Sequence, residues 1–75
     1  MLTSVLVCDD YKLARRQLAR SLPEDWDIKI EFAINGVDCI KQIKAVEPEI
    51  LFLDLNMPEM DGYEVLMAMK ELGLN

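Results

Sequence analysis

Two apolar runs constrain this chain more than anything else in it: Val5-Leu6-Val7-Cys8 near the start, and Ile50-Leu51-Phe52-Leu53 past the middle. Neither alternates with polar residues, so neither leaves a face in water. Short runs of this kind belong to strands buried on both faces, the condition of a parallel sheet with helices packed on each side. Each run also ends in acid, Asp9-Asp10 after the first and Asp54 after the second. Open α/β sheets carry their ligands at this C-terminal edge. Two such strands side by side gather three carboxylates in one crevice.

The intervening segments supply the helices. A first strand is expected over Ser4 to Cys8, then a helix from Tyr11 to Leu22 capped by Asp10. Tyr11, Ala14, Leu18 and Leu22 share one face of that helix, with Arg15, Arg16 and Arg20 on a solvated face. Pro23 stops it. Asp27 to Ala33 alternates charged and apolar residues, the pattern of an edge strand. Asn35-Gly36 suits a hairpin turn, but Val37, Ile40, Ile43 and Val46 recur at helical spacing up to Pro48, so a second helix follows. The third strand is expected over Ile50 to Leu55, and the loop Asn56 to Gly62 leads to a helix from Tyr63 to Leu72. That helix turns Val65, Leu66, Met69 and Leu72 inward and has Gly73 as its C-cap.

The order is therefore βαβαβα, with parallel strands joined by right-handed crossovers. Placing the polar-faced strand at an edge gives the order 2-1-3. The far side of the third strand is then unpaired, an aggregation or swapping hazard that calls for a cover. A homodimer or swapped oligomer through that edge is the expected assembly.

Composition narrows the function. Seventy-five residues make at most one small domain, residues 1–75, with a net charge of −6 and no histidine. Histidine-based catalysis and histidine–metal sites are excluded. An acidic chain has no electrostatic footprint for nucleic acid or an anionic membrane. No apolar stretch approaches the roughly 18 residues of a membrane span. The N-terminus reads directly into a strand without a signal sequence, so a cytoplasmic location is expected. The two cysteines lack CxxC spacing and read as separate buried thiols, Cys8 in the first run and Cys39 in a helical pattern. Met60, Met67 and Met69 read as packing residues and not as ligands.

Three converging carboxylates repel one another, and a hard divalent cation such as Mg²⁺ (or Mn²⁺) relieves this with oxygen ligands and retained waters. Asp10 and Asp54 are the expected direct ligands, with Asp9 acting through water and the Asn56 backbone carbonyl adding an oxygen. The metal would neutralise charge on a phosphoryl group moving onto Asp54. Each piece alone has a plainer explanation. Asp9-Asp10 is an ordinary helix start, Asp54 an ordinary strand end, and Met57-Pro58 and Asp61-Gly62 ordinary turn punctuation with Asp61 as a cap. Their joint order and strand-end placement carry the argument.

Val5-Leu6-Val7-Cys8-Asp9-Asp10, Asn35-Gly36 and Leu53-Asp54-Leu55-Asn56-Met57-Pro58-Glu59-Met60-Asp61-Gly62 together resemble the response-regulator receiver domain of two-component signalling. The resemblance implies a flavodoxin-like, doubly wound parallel sheet, here its first three of five βα units. It implies that Asp54 accepts a phosphoryl group from a histidine kinase or phosphotransfer domain, with Asp9, Asp10, Asp54 and the Asn56 carbonyl around Mg²⁺. It implies a signalling module and not an enzyme, beyond its own phosphorylation and dephosphorylation. The family's strand-four Ser/Thr, strand-five Lys and α4-β5-α5 signalling surface have no counterpart in these residues. Thr3 and Ser4 lie at the wrong end of the sheet to substitute. An interaction module that is not phosphorylated is the alternative. An aspartate-nucleophile phosphatase of the haloacid dehalogenase class fits less well, because Asn56 stands where its second acid belongs.

Overall fold

The computed structural model describes residues 2–57 and 59–74. The two apolar runs become β1 (Thr3–Cys8) and β3 (Ile50–Leu53), and the alternating segment becomes β2 (Ile28–Ala33). The helices are α1 (Lys12–Ser21), α2 (Gly36–Val46) and α3 (Gly62–Leu72). All pairing is parallel, in the expected order β2-β1-β3. Val5 stands beside Ile50 and Ile30, and Cys8 beside Leu53 and Ala33. That register brings the C-terminal ends of β1 and β3 level. On its other side β3 has no strand partner among the described residues.

Strand alternation divides the central strand between two faces. Leu6 and Cys8 join Ala33, Cys39, Ile43, Met57 and Val65 in a core beneath α2 and α3, with Leu51, Leu53 and Met69 packed against it. Val5 and Val7 are buried as well, which is why β1 has no polar position from Val5 to Cys8. Helix α1 buries no residue fully; Ala14, Leu18 and Leu22 are half-buried as expected, whereas Tyr11 is exposed. Burying this core is the main stabilising contribution.

The helices depart from expectation in register more than in existence. Asp10 does not cap α1; Tyr11 occupies the N-cap with no side-chain hydrogen bond. Asp9, not Asp10, holds this turn, its Oδ1 accepting the Tyr11 N–H at 3.0 Å. Asn35 makes no hairpin but caps α2, its Oδ1 accepting the Asp38 N–H at 2.7 Å. The inward stripe of α2 runs Gly36, Cys39, Ile43, and Val37 is 54% exposed. Gly36 must come first in that stripe because a Cβ there would collide with the backbone and side chain of Met60. In α3, Val65 is buried and Met69 partly so, while Leu66 and Leu72 face solvent, contrary to the expected inward set. Met67 is exposed too, so it does not pack as anticipated. Gly73 ends α3 in the left-handed conformation, as its sequence position implied.

The cysteines need a correction. They are buried, but as a disulfide and not as separate thiols: Cys8 and Cys39 are joined with a Cα–Cα distance of 5.9 Å and a sequence separation of 31. Parallel crossover geometry puts α2 directly over the end of β1, and no short-spacing signature announces such a pair.

Candidate functional site

The last residue pair of the β1–β3 ladder is Cys8 with Leu53. One step later, the Asp54 N–H donates to the Cys8 carbonyl at 2.9 Å. Strand β3 thus stops two residues before the expected Leu55, yet Asp54 stays stitched to β1. On the other side, the Asp9 N–H donates to the Ala33 carbonyl at 3.0 Å, the same continuation toward β2. Both acids therefore leave the sheet from fixed backbone positions.

Asp9, Asp10 and Asp54 come together. Each offers a carboxylate oxygen, and the three oxygens lie within 4.8 Å of one another. Asp9 and Asp54 are half-buried and Asp10 is exposed, so the cluster opens to solvent on one side. Asp54 Oδ1 accepts the Asn56 N–H at 3.1 Å, which matches the Asp9 Oδ1 contact to Tyr11. Each of these two acids thus commits one oxygen to the amide two residues ahead, an Asx turn. Asn56 itself is exposed on the loop beside the cluster.

Among the described residues no cation pairs with these acids. Arg15 is near, but its Nη1 donates to the Asp9 backbone carbonyl at 2.9 Å. The ion pair found among the described residues, Lys29 with Glu31 at 3.8 Å, lies on β2. Arg15, expected on a solvated face, is instead a tie between α1 and the start of the acidic turn. Its signal, a basic residue six positions after an acid, is too common to single it out. Three converging carboxylates with an open side and no positive partner match the donor chemistry of a hard divalent cation.

The loop after Asp54 is built from its own sequence. Met57 is buried in the core and Met60 packs against it. Glu59 takes a positive φ of 68°. The Gly62 N–H donates to the Leu55 carbonyl at 3.3 Å and draws the two ends of the loop together. Gly62 is required here, since a Cβ would lie 2.7 Å from the Leu55 Cα. Asp61 caps α3 in a full capping box: its Oδ1 accepts the Glu64 N–H at 2.9 Å, and Glu64 Oε1 accepts the Asp61 N–H at 3.4 Å. Pro58, read as turn punctuation, lies outside the described residues. Ser4 lies at the opposite end of the sheet, where its Oγ accepts the Glu49 N–H at 3.1 Å.

Comparison with known proteins agrees with this fold. The response regulator receiver domain family matches residues 5–75. A protein-glutamate methylesterase/protein-glutamine glutaminase of Clostridium acetobutylicum is 39% identical over 95% of this chain, which covers 21% of that protein. The response regulator MprA of Mycobacterium ulcerans is 36% identical over 97% of this chain, covering 31% of that protein. Among solved structures, the response regulator domain of Thermotoga maritima CheB superposes with a TM-score of 0.80 at 28% identity, over 95% of this chain and 54% of that one. The receiver domain of NarL from Mycobacterium tuberculosis gives a TM-score of 0.86 at 33% identity, over 96% and 59%. The chain thus spans a minor part of these curated relatives and little more than half of the solved domains.

Proposed function

Because the chain belongs to the response-regulator receiver family, we propose that it is the phosphoacceptor portion of a two-component response regulator, with Asp54 receiving the phosphoryl group. The observation that carries this reading is the meeting of Asp9, Asp10 and Asp54 within 4.8 Å at the ends of two adjacent parallel strands. Asp54 Oδ1 is engaged by the Asn56 N–H, and the other carboxylate oxygen has no hydrogen bond among the described residues. That second oxygen is the nucleophile. It attacks phosphorus as the bond from phosphorus to the donor's leaving atom breaks, and an acyl phosphate forms on Asp54.

Asp9, Asp10, Asp54 and the Asn56 backbone carbonyl are the residues that would hold Mg²⁺ or Mn²⁺. The bound ion would supply charge neutralisation for the incoming phosphoryl oxygens. Asp9 orients the turn that presents Asp10, through its contact to the Tyr11 N–H. The donor is a histidine kinase or phosphotransfer domain, and the setting is cytoplasmic. Among the described residues no helix is long and apolar enough to cross a membrane. The esterase chemistry named for one relative belongs to a protein of which this chain covers a fifth, and it is not carried over here.

The reading is tested by incubating the chain with Mg²⁺ and a small acyl phosphate, followed by intact-mass measurement. A phosphoryl adduct that disappears in Asp54→Asn supports it. No adduct on a folded chain overturns it and favours an interaction module. The unpaired edge of β3 is the proposed contact to a second copy, giving a dimer or swapped assembly. Size-exclusion chromatography with light scattering tests this; a monomer at every concentration counts against it.

A further inference from the structure

The proposed phosphoryl chemistry makes no use of Cys8 and Cys39, the buried pair at the root of the acid cluster. Cys8 is 1% and Cys39 0% exposed. Cys8 immediately precedes Asp9-Asp10, and its carbonyl accepts the Asp54 N–H. One residue therefore touches both acid-bearing segments. Cys39 lies in the first turn of α2, its N–H donating to the Asn35 carbonyl at 2.9 Å. The same turn of α2 meets the Asp54 loop, because Gly36 lies flush against Met60. The start of α2 thus holds the end of β1 through sulfur, and the Asp54 loop through the Gly36–Met60 contact.

We infer that Cys8 and Cys39 form a reversible thiol–disulfide switch that sets the cation affinity of the Asp9–Asp10–Asp54 cluster, the joined pair giving the tighter site. This rests on the metal-site reading above. The co-reactant is a dithiol. Its two S–H groups give up two electrons and two protons, the Sγ–Sγ bond breaks, Cys8 and Cys39 become thiols, and the dithiol closes to a cyclic disulfide. Because both sulfurs are buried, exchange requires α2 to open locally from β1. With the pair joined, the crosslink holds the acid-bearing segments together against the mutual repulsion of three carboxylates. With it cut, the cation must supply that ordering itself, and the cost appears as weaker binding.

The test uses the whole chain, oxidised and then reduced by a dithiol. Thiols are counted by alkylation in denaturant with intact-mass readout. Mg²⁺ affinity is measured by titration calorimetry in each state, with circular dichroism to follow the fold. The expected result is no alkylatable thiol before reduction and two after, with Mg²⁺ affinity falling roughly fivefold or more and returning on reoxidation. Cys39→Ala, and the double variant Cys8→Ala/Cys39→Ala that leaves no free thiol, are expected to bind Mg²⁺ like the reduced chain in either condition. Equal affinity in both states overturns the switch and leaves the metal site standing. Absence of Mg²⁺ binding in both states overturns the metal site and the switch with it. Two free thiols in the air-oxidised chain, or loss of fold on reduction, also overturns the switch.

Discussion

The Asp54 N–H reaches the carbonyl of Cys8 at 2.9 Å, one residue beyond the last residue pair of the β1–β3 ladder. This backbone bond of the proposed phosphoacceptor makes no use of its side chain, whose Oδ1 accepts from Asn56 and whose other oxygen has no hydrogen bond among the described residues. Asp54→Asn is accordingly expected to change unfolding free energy by less than about 0.5 kcal/mol, since the amide oxygen still accepts from Asn56. Asp54→Ala loses that acceptor and is expected to cost about 1 kcal/mol. Urea unfolding of the two variants distinguishes these outcomes.

Divalent cation should stabilise the fold in proportion to its binding. At one hundred times the dissociation constant, Mg²⁺ adds about 2.7 kcal/mol if it binds only the native state. The melting temperature should rise with Mg²⁺ and fall back on chelation. Asp10→Asn, which removes the most exposed acid of the cluster, is expected to weaken Mg²⁺ binding roughly tenfold. A melting temperature indifferent to Mg²⁺ would argue against the cation site.

Gly36 has no room for a side chain, because its Cβ position is taken by Met60. Gly36→Val is expected to destabilise by at least about 1–3 kcal/mol through overpacking against backbone. The loop after Asp54 should be displaced too, so an NMR amide spectrum would show the largest shifts around Asn56 and Met60.

The capping box of α3 offers a milder perturbation. Asp61→Ala removes the acceptor for the Glu64 N–H and is expected to cost about 1 kcal/mol. Glu64→Ala should cost less, given its longer contact of 3.4 Å to the Asp61 N–H. A denaturation series on the two single variants checks that order.

What the sequence made legible follows physical constraints. Strands β1 and β3 declared themselves because Val5 to Cys8 and Ile50 to Leu53 have no polar positions to mislead. Edge position for β2 followed from Lys29 and Glu31, and the 2-1-3 order from that. The acid cluster followed from the strand ends. Helix registers were less legible. An apolar residue such as Val37 or Leu66 fits the inward stripe by spacing, but one step of rotation, forced in α2 by Gly36 against Met60, turns it outward. The role of Asp9 over Asp10 at the start of α1 depended on which carboxylate reaches an amide two residues ahead, a matter of local dihedrals. The Cys8–Cys39 pairing arises only when α2 folds back over β1.

The stretch from Asp54 to Glu64 is tied at both of its ends. Asp54 binds the Asn56 N–H, Gly62 binds Leu55, and Asp61 and Glu64 bind each other. A shift of the Asp54 carboxylate therefore either surrenders the Asn56 contact or tows the loop and the first turn of α3 with it. Helix α3 is in effect hitched to the acid that precedes it. Its outward residues, Tyr63, Leu66 and Met67, thus begin nine positions after that acid, at the far end of one chain of contacts.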